Sequence, residues 1–574
     1  MAMTPTSPVR LARRVASTRL GASPTKRNGA AAETSLTAPT TLDGDENSTV
    51  DAAIQMTESD SESAEASTRS AGWISRVATN FLALSAAEIV CRGTSVLVTL
   101  YLAKKLGAGG NGRVEFAFNI VYWLVLIVRD ALEVIAAREI ARHPRVVRSL
   151  VNHVLAIKLL LAGGLYALLF ATGLLTLSGS TERSILYLYG LLLLTTALGI
   201  DFVYRGLERM GLVAFSLVTR TAVYAGGVLL CVKDPSRITW VPAWLVAGEA
   251  FGIALVWIVY SRDHGIPRPA LGGRFLKAAL RRGRSIYFIQ VSQTIICSFD
   301  LLTVGLIYTW STFGLYAAQY RWVNALLTFG LIFQQVAFPR LARSWREGPA
   351  ASRSALDRLV ALLVTILLPL ALGGSVMARP LVAFLLPEEY AAAASVLAIA
   401  IWRAPLLTLA FLYQTALIAL NREAAGVRLL ALGAILTGPV VALTGLPSGP
   451  TGVAAAVVAM ALILVLAGYR LLAAEGCAPA WHHHLGKPLL ACLAMIPVCL
   501  AVDHFLGSIR SHALIAVAVG GFAYFAALAA IGGVPCREPD SAKNEDEIDD
   551  EPRRSPIEAR RSRNRREIAP AAAE

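Results

Sequence analysis

Charged side chains stand inside long apolar stretches of this sequence, and their types and spacing point to the chemistry it can do. Glu88 and Arg92 lie four residues apart, on one face of a helix, where they can pair. Arg129, Asp130 and Glu133 cluster within one apolar run, and Arg220, Glu249, Asp300, Arg321 and Arg403 each interrupt another. A charge in hydrocarbon costs several kcal/mol, so each of these must face a bundle interior, a wet cavity or an opposite charge. Two readings stay open for every one of them: a side chain that lines a cavity, or a structural ion pair or a side chain that snorkels to the rim. As cavity residues, Arg92, Arg129, Arg321 and Arg403 suit an anionic phosphate or pyrophosphate head group, because a planar guanidinium holds two oxygens at once. Glu88, Asp130, Glu133, Glu249 and Asp300 can bind a proton or Na⁺ and so couple transport to a gradient, or serve as ion-pair partners.

Other motifs carry less. Gly107, Gly109 and Gly112 spell G-x-G-x-x-G, but a dinucleotide site needs a short strand before the glycines, and here a long apolar helix precedes them. They read as a tight turn between two helices. His482, His483 and His484 are consecutive, so they point in different directions and do not form the i, i+4 pair of a zinc helix; beside Trp481 and Lys487 they read as interface anchors. None of the seven cysteines forms a C-x-x-C pair, and most lie in apolar runs as small buried hydrophobes. There is no G-x-S-x-G, Walker A or H-E-x-x-H motif, so the expectation is neither an enzyme nor a protein with a bound cofactor or metal.

The elements that must position these charges are membrane-spanning helices. The chain is 55% hydrophobic and only 16% charged, with a mean hydropathy of +0.57, and a run of about 20 apolar residues spans the hydrocarbon layer as a helix. About fourteen such runs follow one another, at 74–102, 114–137, 151–175, 183–203, 210–231, 240–260, 285–307, 314–336, 357–378, 393–418, 427–445, 451–469, 487–505 and 512–533. The predicted fold class is therefore an all-α integral membrane protein. The net charge of +14 does not mark a nucleic-acid binder, because the positive residues recur in short loops between apolar runs. With alternate loops placed inside, the inner ones gather Arg138, Arg142, Arg145, Arg148, the arginines of 261–284 and those of 340–358, and outnumber the outer ones about three to one, a positive-inside bias. An even number of spans with both termini cytoplasmic fits it best.

The domain reading follows. Residues 1–70, rich in Ser, Thr, Ala and Pro, form a disordered cytoplasmic tail, and 536–574 a second, charged one. Spans 1–6 occupy 74–260. A basic cytoplasmic linker at 261–284, with Arg274, Lys277, Arg281 and Arg284 at helical spacing, reads as an interfacial helix. Spans 7–14 occupy 285–533, and a linker midway suggests two helical lobes.

Several segments resemble the oligosaccharide flippase and polysaccharide exporter family, in the superfamily that also holds multidrug and toxic-compound extruders. Leu102–Gly112 is similar to the family's turn after its first helix, and Arg138–Arg142 to the basic exit of its second. Phe202–Met210 resembles the loop between helices four and five, with Arg205 where Gln is common. Asp300, Gly314–Ala318, Phe338–Leu341 and Glu389–Tyr390 resemble the second-lobe pattern. The resemblance covers roughly 74–533 and implies fourteen helices in two lobes around a central cavity, as in multidrug extruders. It also implies transfer of lipid-linked oligosaccharides, on an undecaprenyl pyrophosphate carrier, from the inner to the outer leaflet by alternating access. The implied setting is a bacterial inner membrane, in the company of membrane lipids, a polysaccharide polymerase and glycosyltransferases. Two alternatives remain: a proton- or sodium-coupled small-molecule extruder of the same fold, and a membrane scaffold for polysaccharide synthesis.

Overall fold

The computed structural model describes residues 46–270, 272–507 and 511–533, and among them there is helix and no strand. Sixteen α-helices follow in order: α1 (Glu46–Arg142), α2 (Val147–Thr176), α3 (Ser180–Leu198), α4 (Asp201–Gly206), α5 (Met210–Cys231), α6 (Trp240–His264), α7 (Gly273–Ile307), α8 (Trp310–Glu347), α9 (Pro349–Val376), α10 (Ala378–Leu385), α11 (Ala393–Ala400), α12 (Arg403–Ala419), α13 (Glu423–Val440), α14 (Gly449–Ala474), α15 (Trp481–Leu506) and α16 (His512–Ala530). Met1–Ser75 and Arg76–Glu574 are separate units, and the apolar cores and the cavities belong to the second.

Eleven helical stretches among the described residues are long and apolar enough to cross a membrane. Buried and exposed surfaces are arranged for a lipid solvent. Leu175, Leu230, Ile435, Leu443, Phe505 and Phe522 all point outward, a cost in water that hydrocarbon removes. The chain is a multi-pass integral membrane protein. The expected division into fourteen spans is cut differently here. The first two expected spans fall in α1, and the eleventh and twelfth fall in the stretch Glu423–Ala474. There Pro439, a π-turn at Val441–Gly445 and Gly449 at φ 73° bend the chain within continuous apolar sequence.

Two further expectations meet differences. Residues 46–70, read as part of a disordered tail, are helical, being the start of α1; from Glu46 to Ala71 the sequence has neither Gly nor Pro and is rich in Ala, Glu and Ser, so nothing local interrupts a helix. The basic stretch after Gly272 is not a separate linker helix but the first turns of α7. Residues 1–45 and 534–574, which include most of both expected tails, lie outside the described residues.

The interior holds several apolar cores. One joins α1 to α2, α3, α5 and α6 through Leu102, Val121, Leu169, Leu193, Val228 and Val241. A larger one joins α7, α8, α9, α12, α13 and α14 through Val304, Phe313, Leu363, Leu412, Leu429 and Leu464. Helices α15 and α16 pack on each other and on α9, with the Tyr524 hydroxyl donating to the Thr365 carbonyl at 2.8 Å.

α1 itself bends at Gly107, whose φ of 67° and ψ of 177° leave the helical region. The break strips the next amides of their partners, and the Glu389 carboxylate, from a single turn at Glu388–Tyr390, accepts the Ala108 N–H at 3.1 Å. Just beyond, α1 and α8 meet backbone to backbone. A methyl on Gly112 would fall 2.0 Å from the Trp310 carbonyl oxygen, and one on Gly314 the same distance from that of Ala108. The glycine motif thus makes a kink and a helix crossing.

Candidate functional site

A cavity of about 1080 Å³ lies between α1 and α4 on one side and α7, α8 and α12 on the other. That exceeds the usual pocket for a drug-sized ligand. Its charged lining residues are Arg92, Arg129, Glu133 and Arg138 on α1 and Arg205 on α4; among the described residues α7, α8 and α12 contribute only neutral side chains. The single carboxylate among these described residues has a partner. Glu133 accepts from Lys158 of α2 at 2.8 Å, and the fully buried ammonium also donates to the Gly199 carbonyl at the end of α3 at 2.8 Å. The guanidinium of Arg92 reaches across the cavity to the Thr328 hydroxyl at 2.9 Å and lies 3.2 Å from Glu88 one turn earlier. Among the described residues the lining is therefore cationic on one wall and uncharged on the other.

A smaller cavity of about 430 Å³ adjoins the first and shares Arg92, Tyr122, Ser298, Tyr320 and Asn324 with it. Its charges are internally matched. Arg321 of α8 binds the Glu115 carboxylate and the Thr99 hydroxyl of α1, a link between the two sides. Arg220 of α5 sits 2.6 Å from Asp201 and 3.0 Å from Glu249.

A third cavity, of about 500 Å³, is almost wholly apolar, lined by Trp322, Leu326, Leu381, Met495, Val517 and Phe525 among others from α8–α11, α15 and α16.

This is a helical bundle with a large basic cavity, and comparison with known proteins shows what it is similar to. A family model described as "Polysaccharide biosynthesis protein" matches residues 77–345, from α1 to α8. The match spans a little under half of the chain. Among solved structures, it is similar to one described as the lipid II flippase MurJ in an inward closed conformation. The two are 14% identical with a TM-score of 0.61, over 77% of this chain and 97% of that one. It is also similar to a multidrug resistance MATE family transporter in an inward-facing conformation, at 13% identity and a TM-score of 0.54, over 69% of this chain and 98% of that one. Both likenesses are of fold. No curated protein matches the sequence.

Within this fold the residues singled out by sequence scatter over three environments. Arg92, Arg129 and Glu133 come together in the large cavity. Arg321 and Glu249 line the smaller one, each held by an opposite charge. Arg403 and Asp300 line neither. They form a sealed pair at 2.9 Å, with the guanidinium also donating to the carbonyls of Ile296 and Cys297 and the carboxylate accepting from the Tyr316 hydroxyl at 2.6 Å. Glu88 pairs with Arg92. The side chains of Asp130 and of His482–His484 lie outside the described ones. Among the described residues no group of His, Cys, Asp and Glu has the arrangement of a metal site.

Sequence reasoning passed over Lys158 and Glu115, the partners that decide two of these networks. Lys158 lies within the run 151–175 and carried the same signal as the other intramembrane charges. Glu115, two residues after Arg113 at the start of a span, looked like part of a polar turn. The neutral lining residues Gln290, Gln293, Asn324 and Gln334 gave no signal, because an amide in a span is cheaper than a charge.

Proposed function

We propose that this chain moves lipid-linked oligosaccharides across a bacterial inner membrane by alternating access, for polysaccharide export. The observation that carries the reading is the large cavity, lined by four arginines, where the one carboxylate among the described lining residues pairs with Lys158. Such a surface attracts a diphosphate and repels a cation. An undecaprenyl pyrophosphate fits this chemistry, with its phosphates on Arg92, Arg129, Arg138 and Arg205 and its chain toward lipid. The apolar cavity bounded by α15 and α16 suits part of a hydrocarbon tail.

The full reading has fourteen crossings in two lobes and both termini in the cytoplasm. The cavity reaches the end of the bundle that carries Arg138, Arg205 and Phe338, which the charge bias makes cytoplasmic. At the other end Gly112 and Gly314 seat the two sides against each other, with the Phe116 ring against those of Trp310 and Phe313. That is an arrangement able to load from inside. Polymerases and glycosyltransferases would then supply and consume the cargo. A cation extruder fits less well: Glu88, Glu133, Glu249 and Asp300 all face an arginine or lysine.

The test is reconstitution into vesicles with a fluorescent polyprenyl-pyrophosphate sugar. The reading requires leaflet transfer by the intact protein and its loss in Arg129→Ala and Arg92→Ala. Wild-type protein that transfers no such lipid, yet carries small cations along a gradient, would overturn it.

A further inference from the structure

The two walls of the large cavity differ in kind. Among the described residues, every charged lining residue comes from α1 or α4. The facing wall of α7, α8 and α12 presents carboxamides and hydroxyls with aromatic rings between them, including Gln290, Gln293, Asn324, Gln334 and Thr415 beside Tyr320 and Phe411. Gln334 is the telling member. It is 8% exposed, its side-chain oxygen accepts from Thr415 at 3.4 Å, and its side-chain nitrogen has no hydrogen-bond partner among the described residues. A buried donor left open costs about 1–3 kcal/mol. Gln334 lines the cavity, so a turn of its carboxamide would bring that nitrogen to a ligand oxygen there.

We propose that this second wall is the glycan subsite, built for uncharged, hydroxyl-rich sugar units. The proposal rests on the flippase reading and adds to it the orientation and class of the cargo. A carboxamide both donates and accepts, as a sugar hydroxyl does, so a row of them matches a ring of hydroxyls whichever way each one turns. Aromatic faces cover the apolar faces of sugar rings. A carboxylate on the sugar would lose its water against this wall and find no cation there, which disfavours acidic units. With the pyrophosphate on the arginine wall, the first sugars cross the cavity toward α7 and α8, and Gln293 and Gln334 discriminate among them.

The experiment uses the full chain in vesicles and three polyprenyl-pyrophosphate probes: a single sugar, a neutral oligosaccharide, and the same oligosaccharide with one hexuronic acid. The wild type should move the neutral oligosaccharide at least about tenfold faster than the acidic one. Gln334→Met and Gln293→Leu should slow the neutral oligosaccharide about tenfold more than the single sugar, whereas Arg129→Ala should slow both alike. A second measurement needs no variant: free neutral oligosaccharide, without lipid or phosphate, should compete with transport in the wild type, and its acidic counterpart should compete less. Equal rates for neutral and acidic probes, no competition, or glutamine variants that slow all probes equally would each overturn the glycan wall while leaving the flippase intact. A wild type that moves none of the three would overturn both.

Discussion

Two arginines that look alike in sequence end in opposite places. Arg129 and Arg403 each interrupt an apolar run, yet Arg129 is an exposed lining residue of the large cavity, while Arg403 is 2% exposed and sealed against Asp300. The difference is what surrounds them. Arg403 starts α12 where α7 offers a carboxylate and two backbone carbonyls, and Tyr320 lies with its ring 5.7 Å away. Arg129 shares its wall with three further arginines. One charge is therefore buried within the scaffold and the other exposed on the cavity wall, so their removal should damage different things.

The largest effect belongs to the sealed pair. Arg403→Leu leaves Asp300 buried and unpaired, which costs about 3–5 kcal/mol, and the thermal midpoint of the purified protein in detergent should fall accordingly. Replacing both residues by leucine should recover most of the loss, since apolar side chains of similar volume often do as well as a buried ion pair. A single substitution that left the midpoint in place would break the comparison, because it would mean that Arg403 reaches water.

Next comes the helix crossing that closes one end of the bundle. Gly112→Ala drives a methyl into the Trp310 carbonyl and must part α1 from α8. The expected cost is about 1–3 kcal/mol, read as a lower midpoint together with greater reactivity of cysteines introduced at that end. Gly109→Ala has open space in front of it and is the matched control; a helical alanine there should be neutral or slightly stabilising.

These contrasts also say what sequence was able to reveal. Apolar run length gave the helical membrane class because hydrocarbon forbids unpaired backbone. It placed the bundle from α2 to α16 to within a few residues in most cases. The cut between spans was less legible where Pro439 and Gly449 bend continuous apolar sequence, and the end of the N-terminal tail was missed because composition alone does not reveal where a helix starts. At the site, charge in a span singled out Arg92, Arg129, Arg321 and Arg403 but did not say which way they face. That depends on partners far away in sequence, Thr328 for Arg92, Glu115 for Arg321 and Asp300 for Arg403. The neutral wall was invisible because Gln293 and Gln334 acquire meaning only from what they face.

A smaller effect, in a different observable, sharpens the comparison from the cavity side. Arg129→Gln removes charge from an exposed lining position and keeps a side chain that can hydrogen-bond, so stability read from the thermal midpoint should change by no more than about 0.5 kcal/mol. Transfer of a pyrophosphate-linked sugar should nonetheless slow about tenfold, equivalent to about 1.4 kcal/mol. A large loss of stability with proportionate loss of transport would place Arg129 in the scaffold with Arg403.

The smallest effect separates burial from distance. Arg209 and Asp263 pair at 2.8 Å, as close as the 2.9 Å of Arg403 and Asp300, but their side chains are 61% and 35% exposed. In water the Coulomb gain is offset by hydration lost and by the entropy of holding two long side chains, so such a pair contributes about 0–1 kcal/mol. Arg209→Ala should therefore move the midpoint by less than about 1 kcal/mol, and added salt should erase even that, because the pair lies open to counter-ions. The sealed pair should keep its contribution in the same salt. If the two substitutions cost the same, contact distance rather than exclusion of water would be setting the strength of these ion pairs, and the sorting of arginines into scaffold and cavity would have no energetic basis.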